Sequence, residues 1–203
     1  MKRFALLPVL TLGLIGAFAA IPAFADSTLL NTFSGPENLS PGPDWGLFQF
    51  QSLAVPFTVT NAVTVNSIVA AITVEGGVNV GIMTDAGGLP SDSWLYSQLW
   101  IDPIANISLG NVNWSLGAGN YWLAAVVVAD GAGIWPGGKV VNGPWAYNSG
   151  DPASWVLTGG HAAPAALITA GDATNVVPEP SSFLLLGSGL VGLAGFIKRR
   201  LTA

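Results

Sequence analysis

The sequence predicts an all-β body, a β-sandwich or jelly roll, carried between an N-terminal signal-peptide helix and a C-terminal transmembrane helix. Three observations predict it. Short runs rich in Val, Ile, Thr and aromatic residues recur at intervals of about ten residues, with Gly, Pro, Asn and Asp between them. No long stretch between Asp26 and Val177 has a helical period with caps. The two apolar runs that suit a membrane helix lie at the ends, each beside basic residues. These divide the chain into residues 1–25, 26–177 and 178–203.

Residues 1–25 have the layout of a secretory signal. Lys2 and Arg3 precede the apolar run Phe4 to Ala20, and Ala23-Phe24-Ala25 forms an A-x-A cleavage site before Asp26. The partners this implies are a Sec-type export machinery and a signal peptidase. With no Cys in the chain, the exported body rests on its hydrophobic core rather than on disulfides.

Within 26–177, strands are expected at Val55 to Thr60, Val63 to Val74, Val78 to Met83, Ile104 to Leu109, Tyr121 to Ala129 and Ala165 to Thr169. In Val63 to Val74 the apolar alternation changes phase at Asn66-Ser67, which predicts a bulge or a short turn. Gly76-Gly77 is expected to make a tight hairpin into Val78. Tyr121 to Ala129 is almost continuously apolar and fits a strand covered on both faces, with Trp122 in the core.

Residues 178–203 open with Pro178-Glu179-Pro180, continue through a membrane helix expected at 181–197, made of Ser181-Ser182 and the apolar stretch Phe183 to Ile197, and end in a basic tail, 198–203, led by Lys198, Arg199 and Arg200. The prolines hold the helix to 15 to 17 residues, roughly 22–26 Å at 1.5 Å per residue and short for a bilayer span. The basic tail orients it with the preceding body outside the cytoplasm. A plain membrane anchor is one role for such a segment. The ending "VPEPSSFLLLGSGLVGLAGFIKRR" resembles the PEP-CTERM sorting signal of Gram-negative bacteria. That resemblance implies recognition by a membrane-embedded exosortase, cleavage near Pro178-Glu179-Pro180, and passage of the body through an inner-membrane intermediate to the cell surface or extracellular matrix. It implies a parallel with other tail-exchange signals, in which the mature protein keeps no membrane helix.

A looser likeness covers "VGIMTDAGGLPSDSWL" (Val80 to Leu95) and "LGAGNYWLAAVV" (Leu116 to Val127). It resembles the choice-of-anchor domains that precede such signals, and it implies a sandwich rather than an activity.

Charge narrows the partners. Residues 26–177 hold ten carboxylates and one ammonium, Lys139, a net charge of −9. Such a body has nothing with which to neutralise phosphates, so no nucleic acid is expected as a partner. Thiol catalysis, thiolate zinc and iron–sulfur chemistry need Cys and are excluded. His161 is the single histidine, in a Gly/Ala/Pro context, and no G-x-S-x-G pattern accompanies it, so a catalytic triad is not expected.

Two sites in the body merit a place. Asp85 and Asp92 bracket Ala86 to Ser91, and their oxygens suit a Ca²⁺ ion, although the spacing is not that of an EF-hand and the same residues suit a turn. Trp135 and Trp145, in and beside the Gly/Pro/Asn-rich stretch Gly131 to Pro144, are candidates for stacking on sugar rings at the surface. The alternative is that they cap the ends of the sandwich with each indole N–H on a loop carbonyl. The expectation is a non-enzymatic structural or adhesive protein of an exopolysaccharide or biofilm matrix, with no cofactor beyond possible Ca²⁺. A carbohydrate-binding module and a small hydrolase using two carboxylates are the alternatives.

Overall fold

A computed structural model describes residues 26–34, 42–139, 144–149 and 154–172. Ala23 and Ala25 of the cleavage site, Pro178, Glu179, Pro180, the membrane helix expected at 181–197 and Lys198, Arg199 and Arg200 lie outside the described residues. Asp26, the residue after the expected cleavage site, begins the first strand.

The described residues are all-β. The strands are β1 (Asp26–Asn31), β2 (Asp44–Phe48), β3 (Gln51–Val59), β4 (Val63–Ala70), β5 (Thr73–Asp85) and β6 (Pro90–Ile101), then β7 (Ile107–Leu116), β8 (Gly119–Pro136), β9 (Trp145–Ser149), β10 (Trp155–Thr158) and β11 (Ala166–Asp172). Among the described residues no helix is long and apolar enough to cross a membrane.

One sheet has four strands in the order β1-β11-β4-β7, and the other seven in the order β10-β9-β3-β2-β8-β5-β6. Alternation decides which side chains they share. Leu53, Val55, Phe57 and Val59 of β3 and Val78, Val80 and Ile82 of β5 point to one face, where they form a single core with Val63, Val65 and Ile68 of β4 and Ile168 and Ala170 of β11. Most of these side chains are fully buried, each adding about 1.5–3 kcal/mol relative to exposure. Aromatic contacts link the sheets at their margins: Tyr96 of β6 stacks on Trp114 of β7 at 5.4 Å and 8°, and its hydroxyl donates to Ser115 O at 3.1 Å.

β8 organises the larger sheet. From Tyr121 to Ile134 it pairs with β5 on one edge, while on the other edge β3 covers its first part and β2 its last. From Phe48↔Ala132 to Leu53↔Ala125 the β2–β3 side advances five residues and β8 seven. From Glu75↔Ala132 to Gly77↔Val128 β5 advances two and β8 four. Both edges thus place two extra residues in β8 around Asp130, whose φ is 51°.

That bulge corrects the hairpin expected at Gly76-Gly77. Both glycines lie inside β5, opposite the bulge, where Gly76 has φ 88° and a Cβ on it would stand 3.1 Å from Gly131 Cα. The glycines permit close backbone approach rather than a turn. The hairpin comes later, between Asp85 and Pro90. Likewise Val63 to Val74 divides at Ala71-Ile72 into β4 and β5, whereas the phase change at Asn66-Ser67 is a bulge within β4: Ser67 faces Thr169 and Val65 faces Ala170, leaving Asn66 between. The strand expected from Ile104 begins at Ile107 instead, and Ile104 is 73% exposed.

Gly81 of β5 holds β6 in place by having no side chain. A Cβ there would overlap Tyr96 O and lie 2.6 Å from Ser97 Cα, so Gly81→Ala must push the two strands apart. The expected loss is about 1–3 kcal/mol, read as a lower urea midpoint at unchanged slope.

Candidate functional site

The outer face of the seven-stranded sheet carries the most distinctive surface of the body. Residues paired directly across an antiparallel ladder project to the same face. The register therefore defines a row of small side chains across the strands: Ala146 faces Ala54, Ala54 faces Ala124, Ala124 faces Gly81 and Gly81 faces Ser97. To one side lies the row Trp122, Met83 and Trp94. To the other, Trp155 faces Asn148 and Asn148 faces Ser52.

The alanines are fully buried although they lie on the outer face. Met83, Trp122, Trp94, Val126 and Trp155 close over them in a second apolar cluster. The small floor makes room for the large rings. Trp94 and Trp155 stay half-buried, packed on this cluster and at the same time lining a groove of about 590 Å³. That size lies within the ordinary range of small-ligand sites. Gln49, Ser52, Asp92 and Asn148 add polar groups to the lining, and Phe50, 59% exposed, forms part of its rim.

Asp85 supports this surface from below. Its Oδ1 accepts the Trp122 indole N–H at 2.8 Å and its Oδ2 accepts Gly88 N–H at 2.9 Å. One carboxylate thus fixes both the ring over the floor and the β5–β6 turn that leads to Asp92 and Trp94. Of the two aspartates expected to hold Ca²⁺, Asp85 has one oxygen on the Trp122 indole and the other on the turn at Gly88. Among the described residues no three acidic or histidine side chains gather as a metal-holding group. Asp92 lies apart from these bonds, in the groove lining.

The placement expected for Trp135 and Trp145 is corrected. Neither reaches the surface: they are 0% and 4% exposed, and they lie on β8 and β9 rather than in a loop. The Trp135 N–H donates to Ala165 O at 2.9 Å. Trp145 packs on Trp45 with ring centres 4.7 Å apart, and Trp45 in turn faces Trp135 across β2 and β8. The Trp45 N–H donates to Ala162 O at 2.9 Å. These three indoles pack on the same core, Trp135 with its N–H on a loop carbonyl and Trp145 with its N–H buried without a partner. His161 is exposed and meets Trp45 edge-on at 5.8 Å.

Sequence reasoning missed Trp94 and Trp155 as a pair. The available signal was Ala54, Ala124 and Ala146 at outward positions of strands whose inward positions are large, a pattern that leaves space for rings from neighbouring strands.

Residues 176–200 match the family described as the PEP-CTERM protein-sorting motif. No curated protein matches the chain.

Proposed function

The chain carries a PEP-CTERM sorting signal and is an exosortase-sorted protein of the cell envelope or surface; on that premise we propose that it serves, without enzymatic activity of its own, as a structural or adhesive component of an exopolysaccharide matrix. The signal peptide at 1–25 delivers it to the export machinery, with cleavage after Ala25. Residues 26–177 form the exported body, a sandwich of the choice-of-anchor kind. The tail 178–203 holds the inner-membrane intermediate until the exosortase acts near Pro178-Glu179-Pro180, while Lys198, Arg199 and Arg200 retain the cytoplasmic end.

The sorting motif is the observation that carries this proposal. The body adds two supports. It is a two-sheet scaffold with a continuous core, and its outer face carries a groove lined by two tryptophans and several polar groups.

The test is the intact mass of the mature protein from its native host. A mass beginning at Asp26 and lacking residues 183–203 is expected in cells with the exosortase, and a mass retaining them in cells without it. A tail retained in both cells makes the segment a plain anchor and overturns the proposal.

A further inference from the structure

We propose that the groove between Trp94 and Trp155 binds a segment of polysaccharide carrying free amino sugars. The proposal rests on the surface-protein reading for where the ligand is met, but the binding itself follows from the groove.

The lining has the two kinds of group that a sugar ring demands. Trp94 and Trp155 are half-buried, supported by the alanine floor and still facing the groove. An indole so supported offers a flat apolar surface at little entropic cost, matching the C–H face of a pyranose. Gln49, Ser52 and Asn148 supply amide and hydroxyl partners for ring hydroxyls.

Charge selects among the sugars. The groove contains Asp92 and no cation, and residues 26–177 bear ten carboxylates against Lys139. A uronic-acid polymer meets net repulsion there. An ammonium on the sugar is attracted by the Asp92 carboxylate and by the faces of the flanking indoles. Amino sugars satisfy both halves of the lining together.

The test uses the full chain in a detergent without sugar headgroups, titrated with a glucosamine hexamer, its N-acetylated counterpart, an oligogalacturonate and oligolysine. Calorimetry and indole fluorescence report binding, and urea midpoints report folding. The glucosamine hexamer is expected to bind and to shift the indole emission, with the N-acetylated hexamer weaker and the oligogalacturonate silent. Trp94→Ala and Trp155→Ala are each expected to weaken binding about tenfold, the loss of one stacking contact. Asp92→Asn, at an exposed position, is expected to leave the urea midpoint unchanged and to abolish the preference for the free amine.

No binding of the glucosamine hexamer overturns the proposal. So does binding unchanged by Asp92→Asn, or oligolysine binding equally well, which reduces the interaction to net charge. A retained tail in the mass experiment together with hexamer binding here defeats the sorting proposal and leaves the groove standing; the reverse pair defeats the groove alone.

Discussion

Trp135→Ala is expected to remove most of the body's stability. The side chain is 0% exposed and the largest of the fully buried ones. Truncating a buried Trp costs about 3–5 kcal/mol in lost transfer energy and cavity. Its N–H bond to Ala165 O goes too, and although that carbonyl keeps the Ala71 N–H at 3.0 Å, the lost bond adds about 0.5–1.5 kcal/mol. Against a typical domain stability of about 5–15 kcal/mol, the sum brings the variant near unfolding. Trp135→Phe separates the two effects, since it keeps most of the volume and loses only the donor. Urea unfolding should place it between the native protein and the alanine variant. A tryptophan serving only as a surface platform would show almost no change in either variant, so the same measurement checks the buried placement itself.

The second large effect is expected at Thr32. It is a buried polar residue, 6% exposed, where the chain leaves β1. Its hydroxyl donates to Pro164 O at 2.7 Å and accepts from Ala166 N–H at 2.7 Å. Its backbone N–H donates to Ala166 O at 2.9 Å and its carbonyl accepts Lys139 N–H at 2.8 Å. Three distant segments, the ends of β1 and β8 and the start of β11, are thereby joined at one residue. Thr32→Val keeps the shape and deletes the hydroxyl, orphaning a buried donor and a buried acceptor, each at about 1–3 kcal/mol. The expected loss is about 2–5 kcal/mol by urea titration, with Thr32→Ser recovering most of it. Equal stability of Thr32→Val and the native protein would show that these two groups find other partners.

Much of the body was legible because burial on one side leaves a period of two. The apolar runs of β3, β4, β5, β8 and β11 stand out against Gly and Pro, and the break in alternation at Asn66 marks a real bulge. The rest was hidden for physical reasons. β6 pairs with β5 alone and lies at the sheet edge, so Ser91, Ser93, Ser97 and Gln98 sit in it without penalty and dilute the apolar signal. The short β2, β9 and β10 each carry one tryptophan but run for only five, five and four residues, too few to display a period. Glycine misled most. In Gly131 to Pro144 it suggested a loop, yet Gly133 lies within β8, where a Cβ would stand 2.6 Å from Val74 Cα. Close packing of two backbones and freedom to turn call for the same residue, and sequence does not distinguish them.

The groove was illegible for a related reason. An alanine in a strand gives no indication of which ring will cover it. That emerges only from the register that sets Ala54 against Ala124 and Ala146, and register is a property of pairs of strands. The sorting signal, in contrast, is read along a single continuous segment, and the chain's address is accordingly far plainer in its sequence than its ligand.

The position of β11 bears on how this body carries mechanical load. The strand lies between β1 and β4, antiparallel to both, and Asp172 at its end faces Val63 while neighbouring Gly171 faces Asp26. A pull on the chain beyond Asp172, directed along the strand, meets ladder bonds on two flanks that must slide together, in shear. An edge strand drawn sideways would lose its bonds one after another, like a zip. A protein gripped at its carboxyl end while its far face holds a polymer would be tugged along that line, and the strand that receives the force is clamped on both sides.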